Sequence, residues 1–142
     1  MKFLIILLSL VFIDNGCSAS KVNQDAIFLE YSMHSRGSYQ LITITKKSIS
    51  VVSKRDENPV VKSCSNSNWN KILKVLKPVD IENLPNLKAP SENRFFDGAS
   101  IANFKIIYNG DTYKTPSFDH GNPPKEIARL VKEVLSISEN IE

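Results

Sequence analysis

Residues that carry most enzymatic and metal chemistry are scarce in this chain. Two cysteines and two histidines occur in 142 residues, so neither paired C-x-x-C nor zinc-finger spacing can form. The signatures G-x-x-x-x-G-K-[ST], G-x-G-x-x-G, H-E-x-x-H and G-x-S-x-G are all missing. With them go the phosphate-loop, dinucleotide, zincin and hydrolase-elbow readings. No cofactor and no metal is expected. Charge of one sign is also lacking: the net charge is +3, and the basic residues are dispersed rather than gathered on one face, which excludes a nucleic-acid partner. There is no internal repeat, no low-complexity stretch and no long polar tract of the disordered kind.

What is present is ordinary globular material, 42% apolar and 23% charged, enough for one domain. The only long apolar run is N-terminal. Met1-Lys2 is followed by Phe3–Ile13, apolar except for Ser9, and then by the small polar stretch Asp14-Asn15-Gly16-Cys17-Ser18-Ala19. This order is that of a secretory signal, and the run is too short for a bilayer span of roughly 20 residues. Two processing routes stand. In one, Gly16-Cys17 ends a lipobox and Cys17 is lipidated, although Asp14 and Asn15 depart from the usual aliphatic and small residues. In the other, cleavage follows Ala19. Either route leaves Cys64 without a disulfide partner, and it reads as a small buried hydrophobe beside a helix start. The expected organisation is a signal segment over 1–19, a short tether over 20–25 and one domain over 26–139, exported and either anchored at the outer membrane through Cys17 or periplasmic.

Alternating apolar residues predict strands over 26–31, 38–45 and 48–54, with a loop at His34-Ser35-Arg36-Gly37. The Lys46-Lys47 connection lacks Gly or Asn, so its register is open. Val60–Cys64 is a short extended piece. Trp69, Ile72, Leu73 and Leu76 form one apolar helical stripe, capped near Ser65–Ser67 and stopped at Pro78. Further strands are predicted over 100–108 and 111–115, joined by the hairpin signal Asn109-Gly110. A last helix is predicted with Asn122 as its cap and Pro123 as its first residue, carrying Ile127, Leu130, Val131, Val134 and Leu135. The order β-β-β-α-β-β-α implies an α+β fold: a five-stranded antiparallel sheet with two helices packed on one face and the other face solvated.

Two loops are chemically dense: Arg94-Phe95-Phe96-Asp97-Gly98 and Phe118-Asp119-His120-Gly121-Asn122-Pro123-Pro124. Asp97 precedes the fourth strand and Asp119 follows the fifth, so Arg94, Asp97, Asp119 and His120 fall at one end of the sheet. They support two readings. In one, His120 is an acid/base oriented by Asp119 or Asp97, as in a small hydrolase. In the other, Asp119 bonds loop N–H groups, Arg94 pairs with an Asp to lock the loop, and Asp97-Gly98 is a turn. His34 and Arg36 are the remaining binding candidates, and Trp69 reads as core.

Together with the helix carrying Trp69, the segments Ala89-Pro90-Ser91…Arg94…Phe96-Asp97-Gly98-Ala99 and Phe118–Pro124 resemble small exported or lipid-anchored proteins of Bacteroidetes. That resemblance spans about residues 26–137 and implies a location but no mechanism. The leading expectation is a non-enzymatic cell-envelope module, membrane-associated through Cys17, that binds a protein or cell-wall partner. The alternatives are the Asp119/His120 hydrolase and an inhibitor of an envelope or host enzyme presenting the loop around Arg36 or Arg94.

Overall fold

The computed structural model describes residues 23–141; the signal segment and Cys17 lie outside them. The chain is α+β. Strands β1 (Phe28–His34), β2 (Tyr39–Thr45), β3 (Ser48–Val52) and β4 (Val60–Ser63) precede helix α1 (Asn66–Leu76), and β5 (Ile101–Tyr108), β6 (Asp111–Lys114) and β7 (Phe118–Asp119) precede α2 (Ala128–Glu139). Every strand pair is antiparallel. The sheet order is β4-β3-β2-β1-β5-β6, with β7 also paired to β5.

The sheet therefore has seven strands and not five. β4 is an edge strand exposed along its whole length, so no buried alternation marks it. β7 is only two residues long. β6 and β7 flank the same edge of β5. The register changes between them: Lys105 opposes Lys114, and the Thr115 N–H still donates to the Phe104 carbonyl while the Phe104 N–H donates to Thr115 Oγ1, but Ala102 opposes Phe118. One extra residue is thus inserted around Pro116-Ser117, a bulge at a proline that has no N–H to give the ladder. The insertion turns Phe118 into the core and Asp119 to the opposite side.

Side chains alternate across each strand. Leu29, Tyr31, Ile42, Ile44, Ile49, Val51, Ala102, Phe104 and Ile106 form the inner face and are all buried. The stripes Trp69/Ile72/Leu76 of α1 and Leu130/Val131/Val134/Ile137 of α2 join them in one core cluster. Outward-facing Glu30, Ser32, Thr43, Ser50, Asn103 and Lys105 are only half-buried, and Glu30 pairs with Lys105 at 2.8 Å. No described helix is long and apolar enough to cross a membrane.

Local chemistry explains several element ends. Thr45 Oγ1 accepts from the N–H groups of Lys47 and Ser48 at 3.3 and 3.0 Å, which closes the Lys46-Lys47 turn without Gly or Asn. Asn109 and Gly110 both have positive φ, 52° and 89°, as a type I′ hairpin requires. Ser65 caps α1 by accepting from the Asn68 N–H at 3.1 Å. Two element boundaries differ most from the sequence reading. β1 runs on to His34, which ends a strand and does not sit in the loop. α2 begins at Ala128, with Ile127 at its N-cap position and no side-chain cap. Asn122 does not cap it: it lies five residues before the N-cap position, bridged to Asp119, and its side-chain amide donates to Ser91 Oγ at 2.8 Å. Replacing Ser65 by Ala is expected to lower stability by about 1 kcal/mol in urea unfolding, the usual contribution of such a cap.

Candidate functional site

The bulge after β6 decides what the two dense loops do. It places Asp119 opposite Ile101, at the start of β5, where it faces the segment Ser91–Arg94. The Asp119 side chain is 2% exposed, as is fitting for a group whose oxygens are fully occupied. Oδ2 accepts from the Ser91 hydroxyl at 2.6 Å and the Asn93 N–H at 2.9 Å. Oδ1 accepts from the Arg94 N–H at 3.1 Å and from Arg94 Nη1 at 3.0 Å. The Arg94 guanidinium is equally well held: Nη1 also donates to the Ser91 carbonyl at 2.6 Å, and Nε to Ser117 Oγ at 3.0 Å. Among the described residues no buried side-chain polar atom lacks a partner.

Burial alone would raise the Asp119 carboxyl. The Ser91 hydroxyl, the Arg94 amide and guanidinium and the Asn93 amide outweigh it and hold the group at about 2. A carboxylate so deeply ionised and saturated with donors is a poor general acid or base near neutral pH. It is well suited to fixing a loop. Arg94 is covered in turn by the Phe95 ring, 4.2 Å from guanidinium carbon to ring centroid, a cation–π lid over the ion pair.

The other predicted residues separate from this node. His120 follows Asp119 and points to the inner side of the sheet, where its Nδ1 meets the Tyr31 hydroxyl at 2.6 Å. The two candidates for an acid/base pair thus have different partners on opposite sides of β7. Burial pushes the Tyr31 phenol well above its ordinary value, so it stays a neutral hydroxyl in this contact. Asp97 turns outward. It takes the left-handed conformation at the end of the 3-10 turn Asn93–Phe96, φ 55°, which Asp tolerates. It meets Arg36 at 3.9 Å, with both side chains over 80% exposed. Arg36 and Asp97 therefore share a surface rather than a pocket with Asp119. His34 ends β1 on the outward-facing side, half-buried. Cys64 is half-buried against the core, and burial raises its thiol above the usual range, away from the thiolate a nucleophile needs.

Three groups in these networks escape sequence reasoning: Ser91, Ser117 and Tyr31. Each lies more than twenty residues from its partner, and a serine in a loop or a tyrosine in a strand carries no signal of its own. Phe96 is the other feature that only the structure shows. It is 82% exposed and Phe95 is 62% exposed, on a turn whose base is fixed by the Asp119 node.

No protein-family model, curated protein or solved structure matches the chain.

Asp119→Asn replaces an oxygen by an NH2 among four donors and leaves Arg94 buried without its counter-ion. The melting midpoint is expected to fall on the order of 10 °C or more at pH 7. The acid limb follows from the depressed carboxyl. The stabilisation is fully present above the unfolded value of 3.8 and is lost as pH falls towards about 2. Thermal melts of the wild type between pH 5 and 2 should show a decline that is shallower in Asp119→Asn.

Proposed function

We propose that the protein is a non-enzymatic envelope module that binds a protein partner through the turn 93–98. The observation that carries this reading is Phe96, a large aromatic side chain left 82% exposed on a turn anchored beneath by the buried Arg94–Asp119 pair. Phe95 has a structural task, covering the Arg94 guanidinium. Phe96 has no such contact. The hydrogen bonds to the 93–94 backbone fix the turn that carries it, so docking has less backbone to order, and exposed aromatics are frequent anchors of binding. Arg36 and Asp97 flank it as an exposed charged pair, the composition of a polar rim around an apolar anchor. The envelope address rests on the N-terminal sequence, with Cys17 as the proposed lipid attachment point.

The hydrolase alternative asks Asp119 to orient or activate His120. The four donors on Asp119 and the Tyr31 contact of His120 speak for the binding reading.

A photoreactive phenylalanine analogue at position 96 tests the proposal in an envelope extract. One discrete adduct is expected, competed by excess wild-type chain and not by Phe96→Ser. The melting midpoint of Phe96→Ser should match wild type within about 2 °C, since an exposed side chain adds little to stability. No competed adduct, or equal competition by Phe96→Ser, would overturn the reading.

A further inference from the structure

At the other end of the sheet lies a cleft of about 570 Å³. It is separate from the Phe96 turn: β5 begins beside Asp119 and ends at Tyr108, which lines the cleft. An eight-residue strand puts roughly 24 Å between those ends. The volume is of the size that holds small organic ligands, and such pockets combine an apolar lining with a few placed polar groups.

This cleft has that composition. Leu76 at the end of α1, with Val79 and Ile81 in the segment that follows, supplies an aliphatic wall. Tyr108 and Tyr113, from the two arms of the β5–β6 hairpin, bring two aromatic rings. The charged liners are Asp80 and Glu82 against Lys77, two carboxylates to one ammonium. Asp111 opposes Tyr108 in the same hairpin and adds to the acidic side. The field is felt at the Tyr113 phenol, which is raised first by burial and then by the charges of Asp111 and Glu82. An apolar wall, two π-rich rings and an excess of carboxylate complement a cation that carries an apolar body.

We propose that this cleft binds an organic ammonium, with its apolar part against Leu76, Val79 and Ile81 and its cationic head beside Glu82, Asp80 and the two tyrosines. Anionic amphiphiles meet the same wall and the wrong charge. Neutral ones gain the wall alone. The site depends on no part of the Phe96 reading.

A reporter is built in. Trp69 is the only tryptophan of the chain, and its Nε1 donates to Gln24 Oε1 at 3.3 Å, while Gln24 lines the cleft. The test titrates the full chain with 4-phenylbutylamine, 4-phenylbutanol and 4-phenylbutyrate, reading Trp69 fluorescence and, independently, heat. The amine is expected to bind saturably, about five-fold more tightly than the alcohol, with the carboxylate weakest, as partly screened charges allow. The double variant Asp80→Asn/Glu82→Gln should lose the preference for the amine and keep the affinity of the alcohol, which also shows that the cleft is still folded. Phe96→Ser should bind the amine as wild type does. The proposal is overturned if no probe saturates, if the carboxylate binds as tightly as the amine, or if the double variant keeps its preference for the cation.

Discussion

A single buried carboxylate organises one end of this protein. Asp119 gathers Ser91, Asn93 and Arg94 from one loop, while the guanidinium it holds reaches back to Ser117 beside it in sequence. Taking both charges out of water is costly, and a buried ion pair adds net stability only when its geometry is good and its other hydrogen-bonding positions are filled. Here the donors and acceptors close on one another. The arrangement therefore specifies one loop conformation more than it adds to stability. Every feature at this end leans on it: the short β7 beside β5, the 3-10 turn Asn93–Phe96, the left-handed Asp97 and the outward Phe96.

That constraint in turn depends on a bulge. An uninterrupted β6 would have carried the alternation through Pro116 and sent Phe118 to the outer face. The extra residue sends Phe118 into the core, His120 to the Tyr31 hydroxyl and Asp119 to the loop. Two contrasting surfaces lie at opposite ends of β5. One is a fixed turn offering an aromatic and a charged pair. The other is a concave, acidic and apolar cleft between α1 and the β5–β6 hairpin. Between them, the inner face of the sheet shares one core with the apolar stripes of both helices, and the other face is half-buried and polar.

Much of this was legible before any coordinates. The alternation over 38–45, 48–54 and 100–108 and the stripe from Trp69 to Leu76 mark elements whose periodicity survives folding intact, because one face of each is buried. Asn109-Gly110 marks its own turn through backbone preference alone. β4 was not legible as a sheet member, because a fully exposed edge strand has no burial pattern to read. β7 was hidden by the bulge, which breaks the period at Pro116. Asn122-Pro123 has the local chemistry of a helix cap, but Asn122 is bridged to Asp119 at the end of β7, and the helix begins only at Ala128. At the site, grouping Arg94, Asp97, Asp119 and His120 at one end was sound. Which of them touch was decided by serines and a tyrosine distant in sequence, and local spacing says nothing of those.

The central claim is that Asp119 is a locked anchor, ionised throughout the neutral range, rather than an acid/base group. Carbon-13 NMR titration of its carboxyl carbon in the native protein addresses it most directly. The network of donors predicts a midpoint of about 2, reached only as the loop is released. A midpoint at or above the ordinary 3.8 would mean that the donors do not hold the carboxylate in solution. Asp119 would then be free for proton chemistry, and the turn that presents Phe96 would have lost its anchor.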